Sequence, residues 1–134
     1  MMLPPLKKVM LIEDEKDIRT IAKISLEELG HFTVKFCDSG QEALREVVTF
    51  LPDLILLDVM MPEMDGVETF KALRLIPKVK EIPIIFMTAK VQASEITYYR
   101  ELGAIDVVAK PFDPIQLPEV LREAWSSYHE QRSK

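Results

Sequence analysis

The chain has 134 residues, 48% of them hydrophobic and 29% charged, with a formal net charge of -5. That length suits one domain, and that apolar share builds a core, which excludes wholesale disorder. The negative balance repels phosphate backbones and argues against direct nucleic-acid binding. A single cysteine, Cys37, excludes an internal disulfide and a thiolate metal cluster. No apolar run approaches the roughly 20 residues of a membrane span. The start, Met1 to Lys8, lacks the apolar core of a secretion signal. A cytoplasmic protein is the expectation.

Short apolar runs alternate with longer amphipathic stretches. The first run is Val9-Met10-Leu11-Ile12. It precedes a helical face of Ile18, Ile21, Ala22, Ser25 and Leu29, stopped by Gly30. The second run, Thr33-Val34-Lys35-Phe36, is the weakest and alternates, which suits a sheet edge. Cys37 follows it as a small packing residue. Ser39-Gly40-Gln41-Glu42 has capping-box spacing ahead of Ala43, Leu44, Val47 and Val48. The third run is Leu54-Ile55-Leu56-Leu57. A third helix is predicted after Asp65-Gly66, running to about Ile76 before Pro77.

The fourth run is Ile84-Ile85-Phe86-Met87, with a helix over about Ser94 to Leu102 closed by Gly103. One of Tyr98 and Tyr99 is expected to pack and the other to face a partner. The fifth run, Val107-Val108-Ala109, leads to a helix with Val120, Leu121, Ala124, Trp125 and Tyr128 on one side. Its start is open between an Asp113-Pro114 cap and Pro118. Trp125 is expected to anchor that helix to the sheet, and His31 and His129 to lie at the surface. Five β-α pairs with continuous apolar strands imply an α/β fold with a doubly wound, five-stranded parallel sheet and five helices.

Ligands in such sheets bind at the carboxyl ends of the strands. Polar residues stand there in this chain: Glu13-Asp14-Glu15, Asp58, Thr88 and Lys110-Pro111. Glu15 alone reads as a helix-start charge. Three converging carboxylates, Glu13, Asp14 and Asp58, repel one another unless a cation sits among them. Oxygen ligands favour a hard ion such as Mg²⁺. A lysine and a hydroxyl opposite them suit a phosphoryl group. Together these are the parts for in-line phosphoryl transfer to an aspartate.

Four segments carry a family resemblance: Val9 to Glu15, Asp53 to Gly66, Pro83 to Lys90 and Gly103 to Phe112. With them, and with the spacing of Asp14, Asp58, Thr88 and Lys110, the chain resembles the receiver domain of two-component response regulators, of the single-domain chemotaxis type. The resemblance implies a flavodoxin-like receiver fold over residues 8–128, an N-terminal extension over 1–7 and a tail or linker over 129–134. It implies Asp58 as phosphoacceptor, and Glu13, Asp14, Asp58 and the backbone carbonyl of Met60 as Mg²⁺ ligands. Thr88 and Lys110 would bind the phosphoryl group, with Thr88 as a switch. The Lys110-Pro111 bond would be cis, Gly66 would relieve a strained turn, and Pro62 and Met64 would shape the loop. The implied donor is a sensor histidine kinase or a histidine phosphotransfer protein. The implied reader is a downstream protein or output domain at the helix 4, strand 5 and helix 5 face, where a homodimer is a further option. No turnover of a small molecule is implied, only self-catalysed phosphorylation and dephosphorylation. The chain reads as a stand-alone regulator or one domain of a longer protein.

This sequence departs from the family pattern at three places. Glu13 replaces the commoner aspartate, so its longer side chain is expected to reach the ion through water. Val107 stands where many relatives carry an aromatic second switch residue. Lys90 and Met60 flank the phosphoryl pocket, Lys90 with the simpler reading of a loop charge. Three other functions fit the residues less well. An aspartate-dependent phosphohydrolase needs a second carboxylate two residues after Asp58, where Met60 stands. A flavodoxin-like cofactor module needs a phosphate-binding loop where Glu13-Asp14-Glu15 would repel phosphate. A degenerate receiver used only for docking does not need the intact acceptor, acid pair, Thr88 and Lys110.

Overall fold

Residues 3–132 are described by the computed structural model. Five parallel strands form one sheet in the order β2-β1-β3-β4-β5. They are β1 (Lys8–Ile12), β2 (Thr33–Cys37), β3 (Leu54–Asp58), β4 (Ile84–Thr88) and β5 (Asp106–Ala109). The helices between and after them are α1 (Lys16–Lys23), α2 (Gly40–Phe50), α3 (Gly66–Arg74), α4 (Ala93–Leu102) and α5 (Leu117–Arg132). The doubly wound α/β expectation holds, and the alternating run Thr33–Phe36 is an edge strand.

The central strands are apolar throughout because both sheet faces are covered. Side chains alternate across a strand, so each run feeds two cores. Met10, Ile12, Ile55, Leu57, Ile84 and Phe86 pack with Ala43, Val47, Phe70, Leu73 and Tyr99 from α2, α3 and α4. Val9, Leu11, Leu54, Leu56, Ile85 and Met87 pack with Ala22, Leu26, Leu121 and Trp125 on the α1 and α5 side. Cys37 ends β2, fully buried, and burial pushes its thiol up to about 12. Such burial suits the expected packing role.

The first helix differs from expectation. After Lys23 the backbone continues as a π-helical stretch, Ile24–Leu29. Its wider turn slides the buried stripe. Ala22, Ser25 and Leu26 face the sheet, while Ile21 and Leu29 are 46% and 50% exposed. The expected single face of Ile18, Ile21, Ala22, Ser25 and Leu29 is therefore split. Ser25 Oγ, buried there, donates to the Pro114 carbonyl at 2.6 Å.

Other ends shift by a few residues. Asp65 caps α3 with a full capping box with Glu68. The helix stops at Arg74, and Leu75 and Ile76 continue as a tightened turn whose amides bond back three residues. At α5 both readings of the start are partly met. Asp113 Oδ1 accepts from the Ile115 amide, and its carbonyl accepts from Leu117. The regular helix begins at Leu117, so Pro118 falls in the first turn, where no intrahelical bond is lost. The helix runs four residues past Tyr128, to Arg132, and His129 meets Trp125 and Tyr128 edge-on. Of the expected N-terminal extension, Pro4 is tied down through its carbonyl, which accepts from Trp125 Nε1 at 2.8 Å. Residues 1, 2, 133 and 134 lie outside the described residues.

Candidate functional site at the carboxyl edge of the sheet

Strand order brings the polar strand ends together. β3 lies between β1 and β4, and β5 follows β4. Glu13 extends β1 and is fully buried, Asp58 ends β3 at 1% exposure, and Thr88 ends β4 at 2%. Lys110 follows β5, and its peptide bond to Pro111 is cis. Its Nζ donates to Glu13 Oε1 at 2.9 Å and to Asp58 Oδ1 at 3.1 Å. One lysine thus bridges two buried carboxylates.

Glu13 is held by more than Lys110. Its Oε2 accepts from the Glu15 amide at 3.0 Å, and its carbonyl accepts from Arg19 Nη1 at 2.7 Å. Burial pushes the Glu13 carboxyl up to about 7, with the Asp58 charge adding to the rise and the Glu15 amide and Lys110 opposing it. Burial also raises Asp58, against Lys110 and with help from the Asp14 charge. Desolvation works to lower Lys110, but its two carboxylate partners outweigh it and the ammonium is raised. The site therefore holds one firm cation and too much negative charge for it.

Two buried oxygens in the site have no hydrogen-bond partner among the described residues, Asp14 Oδ1 and Asp58 Oδ2. One carboxylate oxygen from each of Glu13, Asp14 and Asp58 lies within 4.8 Å of the others. Unsatisfied buried carboxylate oxygens are costly, and an all-oxygen set suits a hard divalent cation. These residues fit a Mg²⁺ site. Glu13 nonetheless has both carboxylate oxygens engaged by protein donors, so Asp14 and Asp58 are the two with a free oxygen to offer.

The loop after β3 is pressed onto the site by close backbone approach. The Gly66 amide donates to the Val59 carbonyl at 2.8 Å, and a Cβ at Gly66 would sit 2.3 Å from the Asp58 carbonyl oxygen. Glycine is required there for space; the left-handed residue of this turn is Glu63, at φ 65. Met60 is 69% exposed at the pocket mouth. Lys90 is exposed, and its amide donates to Thr88 Oγ1 at 3.1 Å.

Tyr99 is the tyrosine of the pair that packs, at 7% exposure, and Tyr98 is 48% exposed. Val107 is only half-buried against the α2–α4 core. Val107→Ala is therefore expected to cost about 1 kcal/mol, the low end for a large-to-small change. Urea unfolding checks this, and a loss well above 2 kcal/mol would mean a tighter site than this packing implies. Arg19 and the Glu15 amide were not legible as parts of the site. They act on Glu13 across a loop, and no local spacing rule flags such contacts.

Fold and site together define a doubly wound α/β domain with an acidic, lysine-bridged pocket at the carboxyl edge of its sheet. A family model described as "Response regulator receiver domain" matches residues 9–122. The alkaline phosphatase synthesis transcriptional regulatory protein PhoP of Bacillus subtilis is 41% identical over 108 residues, which is 81% of this chain and 44% of that protein. The phosphate regulon transcriptional regulatory protein PhoB of Pseudomonas aeruginosa is 35% identical over 111 residues, 83% of this chain and 48% of that one. The chain thus spans less than half the length of these relatives. Among solved structures, the chemotaxis protein CheY4 of Vibrio cholerae superposes with a TM-score of 0.82 at 29% identity, covering 90% of this chain and 99% of that one. The chain belongs to the response regulator receiver family of two-component signalling. No helix among the described residues is long and apolar enough to cross a membrane.

Proposed function

We propose that the chain is a phosphorylation switch in which Asp58 accepts a phosphoryl group from a histidine kinase or histidine phosphotransfer protein. In that step the P–N bond of the donor phosphohistidine breaks and an O–P bond to the Asp58 carboxylate forms. The imidazole leaves with the electron pair and takes up a proton. Hydrolysis by water returns the carboxylate. The chain's own contribution is a buried carboxylate with one unsatisfied oxygen, set beside a fixed ammonium. That pairing of Asp58 with Lys110 is the observation that carries the reading.

Lys110 would neutralise a phosphoryl oxygen, and the Thr88 hydroxyl would donate to another. Mg²⁺, held by Asp14, Asp58 and the Met60 carbonyl with Glu13 behind them, would supply charge neutralisation of the transferring group when bound. Lys90 and the Met60 side chain flank the pocket without entering the chemistry, and Val107 takes the second switch position on β5 without an aromatic ring. A groove of about 580 Å³ between α4, β5 and α5, lined by Arg100, Asp106, Glu123 and Tyr128 among others, is the surface a downstream protein, an output domain or a second copy would read. The protein would work in the cytoplasm, where such donors reside, and would not turn over small molecules.

Intact mass after incubation with acetyl phosphate and Mg²⁺ tests this. Wild type is expected to gain one phosphoryl group, and Asp58→Ala or added EDTA to prevent the gain. Phosphoryl mass that survives Asp58→Ala would remove the assignment.

A further inference from the structure

A carboxylate on a loop ordinarily turns until its oxygens meet solvent or a local amide. Asp14 stands on such a loop, between β1 and α1, yet its Oδ1 is buried with no hydrogen-bond partner among the described residues. The backbone on either side of it is held. The Glu13 amide donates to the Cys37 carbonyl at 3.0 Å, the last bond between β1 and β2. The Glu13 carbonyl accepts from Arg19 Nη1 at 2.7 Å. On the far side, the Glu15 amide donates to Glu13 Oε2 at 3.0 Å, and the Glu15 carbonyl accepts from the Arg19 amide at 3.1 Å. Arg19, half-buried on α1, thus grips the residue before Asp14 with its side chain and the residue after it with its backbone. Any residue at this place in the helix would make the second bond; the first needs the guanidinium.

We propose that Arg19 is the positioning residue that presents Asp14 to a divalent cation. The inference rests on the Mg²⁺ reading of the site given above. A peptide unit is planar, so fixing the Glu13 carbonyl fixes the Glu13–Asp14 peptide plane and the direction from which the Asp14 side chain leaves. The bond is charge-assisted and the guanidinium is planar, so it sets a direction as well as a distance. A cation near the start of a helix gains nothing from the helix field, which favours anions there. The Glu13 carbonyl is therefore the better account of why an arginine stands at this place. Without that bond the peptide is free to rotate, and Asp14 turns Oδ1 to water or to a nearby amide. That removes the cost of an unpartnered buried oxygen, and with it the oxygen held open for the ion. Arg19 acts through the backbone of Glu13 and leaves the Asp58–Lys110 pair to its own geometry.

The test titrates the isotope-labelled full chain with Mg²⁺ alone and reads the dissociation constant from amide shifts. Arg19→Met keeps the aliphatic stem and removes the donor, and its dissociation constant is expected to rise about tenfold or more. Arg19→Lys keeps a charged donor without the planar fork and is expected to fall between that variant and wild type. Ser25→Ala loses the bond to the Pro114 carbonyl, loosens the chain just beyond α1 and is expected to bind Mg²⁺ as wild type does. A wild-type constant in Arg19→Met overturns the inference. An equal rise in Ser25→Ala also overturns it, because the effect is then one of general loosening. Should Arg19→Met fail to fold, Arg19→Lys decides: a weakened constant supports the inference and a wild-type constant overturns it. No Mg²⁺ binding by wild type overturns the metal reading and this inference together; binding indifferent to residue 19 overturns this inference alone.

Discussion

In the absence of divalent cations, the protein is expected to lose about 2–3 kcal/mol of stability between pH 5 and pH 8 through Glu13 alone. The unfolded carboxyl titrates near 4.5, the folded one at about 7. Between those values the folded chain holds a proton that the unfolded chain has released. Stability from this group is therefore complete below about 4.5 and falls as pH rises through about 7. The cause is burial: an ionised Glu13 with no solvent must share Lys110 with Asp58. Asp58 is raised for the same reason and deepens the fall. Urea unfolding in EDTA at pH 5, 6, 7 and 8 measures the slope. Glu13→Gln removes the titrating group and is expected to flatten the curve. An unchanged slope in that variant would place the pH sensitivity elsewhere.

The sequence made the site's members legible but not their pairing. Leu54 to Leu57 is a run that only a strand covered on both faces tolerates, so Asp58 had to stand at the sheet rim. Thr88 follows from the same logic at the end of β4. Glu13 and Lys110 each read correctly as rim residues, yet their ion pair links positions 97 residues apart. Nothing local announces it, and so Glu13 read simply as a cation ligand. The π-helical stretch Ile24–Leu29 escaped for a related reason. Its composition is that of an ordinary helix, and the wider turn is fixed by tertiary contacts such as Ser25 with Pro114. Tyr99 was legible as a packing or a surface residue. Its position against Phe86 depends on how α4 crosses β4, which periodicity does not encode.

Asp58→Asn is expected to make the metal-free protein more stable than wild type at pH 8, by about 0.5–2 kcal/mol. Active-site groups are often held at a cost in stability, and here the cost has a stated origin. Asp58 is 1% exposed, raised by burial and by the Asp14 charge, and has one buried oxygen without a partner. Removing its charge leaves Lys110 to Glu13 as a matched pair. An amide keeps the shape of the carboxylate, so no cavity opens to offset the gain. Mg²⁺ acts on the same imbalance from the other side. A ligand that binds only the folded state adds about 1.4 kcal/mol at ten times its dissociation constant. Wild type should show that increase in melting experiments with and without Mg²⁺, and Asp58→Asn should show a smaller one, because it presents one carboxylate fewer. Each effect checks the other. If Asp58→Asn melts below wild type in EDTA, like-charge crowding is not what Asp58 costs the fold. If Mg²⁺ stabilises the variant as much as wild type, Asp58 is not among the ligands.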